Sequence, residues 1–175
     1  TIDNLAYLYH CNKINFALVV APNTVYQNWK RELDIHCPIS TSVFTYKVDK
    51  IKNFAFDENK MNIFQGDSSK LKEYLESIDF TDDDRIVFFL DSHGSGHGCP
   101  LIEELTAIKD MNFKNPPIII LDDVRIIRDC VWSDRRYNGN NFEDILKNKI
   151  KEISASYEFS YLDGYIKDDC LLASC

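Results

Sequence analysis

The chain has 175 residues, a net charge of −8 and a pI near 4.9, with 45% hydrophobic and 13% aromatic residues. That length points to one domain, two at most, and the apolar content is enough for a packed core, which excludes wholesale disorder. The acidic balance disfavours non-specific binding to nucleic acid or to an anionic membrane.

In chain order, Ile2, Leu5, Ala6, Leu8 and Tyr9 suit a short helix behind Thr1. FALVVA, residues 16–21, is a continuous apolar run of the buried-strand type. Asn23 or Thr24 is placed to cap a helix through VYQNWKREL, and SVFTYKV, residues 42–48, has the β-branched and aromatic content of a strand. The polar stretch 49–60 carries the weakest pattern. NIF, residues 62–64, reads as a short strand, and GDSSKLKEYLESI as a turn followed by a helix capped by Ser68 or Ser69.

RIVFFL, residues 85–90, is a strong buried-strand signal. It leads into the glycine-rich DSHGSGHG and then a helix that begins at Pro100. PPIIIL, residues 116–121, is a further buried strand that ends directly on Asp122 and Asp123. NNFEDILKNKIKEIS forms an amphipathic helix with Phe142, Ile145, Leu146, Ile150 and Ile153 inward. YEFSYLDGYIKDDCLLAS reads as two strands around a turn at Asp163-Gly164. Alternating strands and helices predict an α/β domain over residues 1–175. Its sheet is mostly parallel, with a C-terminal antiparallel strand pair.

No apolar run approaches the roughly 20 residues of a membrane span, and TIDNLAYLYH lacks the basic and apolar regions of a signal peptide. No membrane partner and a cytoplasmic location are therefore expected. The six cysteines are scattered with no CxxC pair, which points to free thiols rather than a disulfide framework.

In open α/β sheets ligands bind beyond the carboxyl ends of the strands. Asp67, Asp91, Asp122 and Asp123 all fall at such positions, and carboxylates from neighbouring strand ends suit a hard cation such as Mg²⁺. Asp91, His93, His97 and Cys99 have the residue types of a zinc site but no established zinc spacing. His93 is instead a candidate general base, because imidazole titrates near neutrality. Asp91 and the Asp122-Asp123 pair can equally serve as a helix cap and a turn. Arg125, Arg128, Arg135 and Arg136 form a basic cluster beside Trp132 and Tyr137. It reads either as a contact for an anionic ligand or nucleic acid, or as a solvated surface that offsets nearby aspartates. All six glycines lie at position 66 or later, so the first 65 residues hold no phosphate-cradling glycine loop.

From about Met61 onward, NIFQGDSSKL, RIVFFLDSHG with CPLIEELTAI, PIIILDDVR and the YLDGY…DCLLA hairpin resemble the C-terminal half of class I S-adenosylmethionine-dependent methyltransferases. The similarity is to FkbM-like and macrocin O-methyltransferase-like proteins. It implies a Rossmann-like three-layer fold and methyl transfer to a small-molecule or sugar hydroxyl. In macrocin-type members the strand-end aspartates hold Mg²⁺, which here implies Asp91, Asp122 and Asp123. The turn at Asp67 and Ser68 would lie at S-adenosylmethionine, and Asp91 and His93 would be catalytic.

Residues 1–60 are similar instead to the start of an SNF2-type superfamily 2 helicase, through APNTVYQNW and the strand after it, without the phosphate loop and its lysine. The two halves read as a fusion with a seam near residues 53–61. The leading expectation is a methyltransferase-like protein with metal-assisted O-methyl transfer. The alternatives are an inactive helicase fragment that contacts nucleic acid, and a non-catalytic interaction module.

Overall fold

The structure is a computed structural model that describes residues 11, 13–20, 68–92, 99–129 and 142–175. The expected elements at 1–10, 21–52 and 62–64, and the seam at 53–61, lie outside the described residues.

Among the described residues, ten elements follow one another. β1 is Phe16–Val20, a 3₁₀ turn is Ser68–Lys70, α1 is Leu71–Glu76, β2 is Ile86–Leu90 and α2 is Leu101–Asp110. β3 is Ile118–Leu121, α3 is Val124–Asp129, α4 is Phe142–Ile153, β4 is Glu158–Leu162 and β5 is Cys170–Ser174. The strands form one five-stranded sheet in the order β1-β2-β3-β5-β4. β1, β2 and β3 pair in parallel, and β5 runs antiparallel to both β3 and β4. β4 therefore points the same way as β3, and β5 is the single reversed strand of the described sheet.

IVFFL is apolar at every position because both of its faces are buried. Strand side chains alternate across a sheet. Ile86, Phe88 and Leu90 accordingly join a core with Leu71, Leu75, Leu105, Ile108, Leu146 and Ile150 from the helices. Val87 and Phe89 join a second cluster on the other face with Ile120, Cys170 and Ile14. On the first face α2 packs between α1 and α4, and α3 leans on α4.

Local chemistry fixes the strand starts. Asn15 accepts the Arg85 N–H at 2.7 Å and donates to Asp84 Oδ1 at 3.1 Å, which sets β1 against β2 in register from Phe16 opposite Ile86. Tyr157 is fully buried, and its hydroxyl donates to the Pro117 carbonyl, tying the start of β4 to the start of β3.

Three sequence expectations change in detail. The helix after GDSS begins with a 3₁₀ turn, and its α-helical part starts at Leu71 with Lys70 in the cap position and no side-chain cap. α3 was not foreseen, because VRIIRD is only six residues long and too short for a helical period to declare itself. The hairpin connection spans residues 163–169 rather than a two-residue turn, since Leu162 pairs with Cys170. Asp163 Oδ1 accepts the Asp168 N–H at 3.1 Å, and Gly164 donates its N–H to Ile166 O at 3.0 Å, closing this longer loop on itself.

Candidate functional site

Parallel strands that end together put the residues after them in one row. The Asp91 N–H donates to Val20 O at 2.7 Å and the Asp122 N–H donates to Leu90 O at 3.0 Å. The carboxyl ends of β1, β2 and β3 are thus stitched side by side, with Asp91 and Asp122 heading neighbouring strands. β5 runs the other way, so its first residues lie at this same edge. Leu171 pairs with Leu121, which places Asp169 and Cys170 beside Asp122 and Asp123.

Asp122 Oδ1 accepts the Asp123 N–H at 2.9 Å and the Cys170 thiol at 3.0 Å. Burial, followed by the facing Asp122 carboxylate, pushes the Cys170 thiol well above its ordinary pKa, so it stays a neutral donor. Asp123 has a φ of 55°, in the left-handed region that most side chains avoid. The conformation turns the chain sharply out of β3 and into α3, whose Ile126 N–H bonds back to Asp123 O at 2.8 Å.

Arg125 closes the cluster. Its Nη1 lies 2.6 Å from Asp123 Oδ1 and also bonds Asp169 Oδ2. Asp169 is 1% exposed. Its Oδ1 accepts the Arg125 backbone N–H at 3.3 Å, and its carbonyl accepts the Val124 N–H at 2.7 Å, so one residue from the β5 lead-in takes the first two backbone N–H groups of α3. Burial pushes the Arg125 guanidinium down, but the Asp123 and Asp169 carboxylates outweigh it and hold its pKa above the usual value. On its outer side the guanidinium carbon lies 5.2 Å from the ring centre of Tyr165, an exposed residue of the hairpin loop.

Beside β2, Ser92 donates to Glu104 Oε2 at 2.5 Å, with Glu104 fully buried on α2. The tie anchors the chain just after Asp91 to the helix that follows the glycine-rich loop.

The predicted residues are distributed as follows. Asp91 is buried at the end of β2, and Asp122 and Asp123 are half-buried at the end of β3. Ser68 opens the 3₁₀ turn before α1. Asp67, His93 and His97 lie outside the described residues, as do Arg135, Arg136, Trp132 and Tyr137. Cys99 is buried in the apolar core with Leu101 and Leu105. The described cysteines Cys11, Cys99, Cys170 and Cys175 are free thiols.

The structure does not bring Asp91, Asp122 and Asp123 into one ligand set. Among the described residues, no three His, Cys, Asp or Glu side chains form a group that could hold a metal ion. The donor chemistry explains the misfit. Asp123 and Asp169 turn to a guanidinium, and Asp122 turns to a thiol and a backbone amide. These described residues do not fit the Mg²⁺ that the resemblance implies.

Arg125 belongs to the basic cluster noted in the sequence, yet it faces inward to two carboxylates. Arg128 likewise donates to Glu143 Oε2 at 2.7 Å and stacks on Tyr161 at 4.9 Å. Asp169 was missed. Its signal was available, because the residue before a reversed strand sits at the same edge as the ends of the parallel strands beside it.

Comparison of the chain with protein-family models, curated proteins and solved structures found no match. Among the described residues, no helix is long and apolar enough to cross a membrane.

Proposed function

We propose that the chain is a methyltransferase-like protein, a Rossmann-like three-layer domain that moves a methyl group from S-adenosylmethionine to a hydroxyl of a small molecule or sugar. The supporting observation is the row of strand ends. Asp91 after β2 and Asp122-Asp123 after β3 stand side by side next to the end of β1. This is where doubly wound sheets bind their ligands. The reversed β5 between β3 and β4 supports the same reading, because the resemblance includes the YLDGY…DCLLA hairpin.

When bound, S-adenosylmethionine supplies an electrophilic methyl group on a positively charged sulfur. The chain's part in this reading is to orient the acceptor and take its proton. His93, two residues beyond Asp91, is the base that removes the hydroxyl proton as the oxygen attacks. Asp91 is held at the head of β2 through its backbone bond to Val20, and in this reading its carboxylate fixes the acceptor. Ser68, with Asp67, contributes the turn beside the cofactor. No step is assigned to a divalent ion.

Calorimetric titration of the full chain with S-adenosylmethionine, with and without Mg²⁺, tests this. Saturable binding is the expected result, and an absence of heat under both conditions overturns the reading.

A second reading, a non-catalytic interaction module, is favoured by two observations. The first 65 residues lack glycine, and Asp123 is committed to Arg125. Binding of single-stranded or duplex DNA that weakens steeply with salt would instead favour the helicase-derived alternative.

A further inference from the structure

We propose that Arg125 is the resident counter-cation of the strand-end carboxylates, so that this edge of the sheet is charge-compensated by a guanidinium and works without a divalent metal. Asp123 and Asp169 come from different elements, the exit of β3 and the lead-in to β5, and both aim an oxygen at Arg125 Nη1. Two carboxylates converging on one point from neighbouring strands is an arrangement that attracts a divalent cation. Here that point carries a guanidinium nitrogen, supplied by the first turn of the helix that Asp123 itself begins.

The compensation is fixed rather than exchangeable. The Asp169 side chain is buried, and its other oxygen accepts the Arg125 backbone N–H, so the carboxylate cannot swing away to a solvent ion without abandoning the helix start. A divalent ion entering between the carboxylates would meet the guanidinium charge at contact distance and be repelled. Asp122, beside Asp123 at the exit of β3, is oriented by Cys170 and by the Asp123 amide.

The inference stands apart from the methyl-transfer reading, because it concerns the charge state of the site whether or not a methyl donor binds. Its test reads folding rather than turnover.

The full chain is unfolded thermally in EDTA, in millimolar Mg²⁺ or Ca²⁺, and in NaCl of matched ionic strength. The wild type is expected to give the same midpoint in all three. Arg125→Ala leaves two facing carboxylates uncompensated. Its midpoint should fall by roughly 5–10 °C, and much of that fall should be recovered by the divalent ions but not by NaCl. Arg125→Lys restores one charge at the same place and is expected to fold and to remain indifferent to divalent ions. A wild-type midpoint that rises with Mg²⁺ or Ca²⁺ or falls in EDTA overturns the proposal. So does a folded Arg125→Ala protein with no selective divalent response. If Arg125→Ala does not fold under any condition, Arg125→Lys decides. A folded, divalent-indifferent variant supports compensation by charge, whereas failure to fold assigns Arg125 to shape and overturns it.

Discussion

The guanidinium of Arg125 lies between the carboxylates of Asp123 and Asp169, and so joins the exit of β3 to the entry of β5. Three elements meet at that point, because Asp169 also receives the first backbone N–H groups of α3. The consequence is a stability prediction. Asp169→Asn keeps the size of the side chain and one acceptor oxygen but removes the charge. It should lower the free energy of unfolding by about 1–3 kcal/mol, discounted from the cost of breaking a fully buried pair because Arg125 is one-third exposed. Urea unfolding at neutral pH checks it. The midpoint should fall with the slope unchanged, and a midpoint equal to that of the wild type would mean that the contact carries no net stability.

Legibility in the sequence followed the physics of each element. IVFFL and PIIIL were readable because strands buried on both faces are apolar at every position, which few other structures demand. α4 was readable because twelve residues give the helical period three turns in which to appear, and Phe142, Leu146 and Ile150 are buried as expected. α3 was not, since six residues allow less than two turns. The strand-end aspartates were found by position alone. Their partners were not, because Arg125 looks like any surface arginine until the hairpin brings Asp169 against it. The length of that hairpin loop also escaped: Asp163-Gly164 is a strong turn signal, but pairing resumes at Cys170, not just after Gly164. A pattern reports periodicity along the chain. It does not report which charge faces which across a folded edge, and the site is made of such contacts.

Glu143 should make the fold sensitive to acid. Burial pushes this carboxyl up, but Arg128, Lys147 and the Tyr161 hydroxyl outweigh that and hold its pKa at about 2, below the unfolded value of 4.5. Lys147 Nζ is 2.7 Å from Oε1, and the Tyr161 hydroxyl donates to the same oxygen. A depressed carboxyl stabilises the fold fully above its unfolded pKa, and the contribution is lost as pH falls through the folded one. The loss should therefore run from about pH 4.5 down to about pH 2 and amount to about 1–3 kcal/mol, given that Arg128 is 44% exposed. Urea midpoints collected across that range, compared with Glu143→Gln, measure it. The variant should start lower at neutral pH and show a shallower decline, and two parallel curves would remove Glu143 as the cause.

Tyr157 offers a control remote from the strand-end cluster. Its ring is fully buried, and its hydroxyl donates to Pro117 O at the opposite end of β3 from Asp122. Tyr157→Phe keeps the packing but leaves that carbonyl without this donor, so it should cost about 1–2 kcal/mol. Any affinity for S-adenosylmethionine should be unchanged, because the carboxyl edge is untouched. Calorimetry and thermal unfolding of the same preparation check both halves. A loss of ligand binding at unchanged stability would place the binding site elsewhere.

The packing of α4 on the sheet and α2 predicts a sharp contrast between two aliphatic residues. Leu146 is fully buried on the inward face of α4, within the core that includes Phe88, Leu105 and Ile119. Leu146→Ala removes buried methyl groups and leaves a cavity among neighbours that are fixed by the sheet, so it should cost about 2–5 kcal/mol. Ile166 is 49% exposed in the hairpin loop, and Ile166→Ala should stay within about 0.5 kcal/mol of the wild type. Chemical unfolding separates the two variants. Equal stability losses would mean that α4 does not cover the sheet in the way its buried stripe requires. A large loss for Ile166→Ala alone would make the hairpin loop, and not the helical layer, the element that holds this edge together.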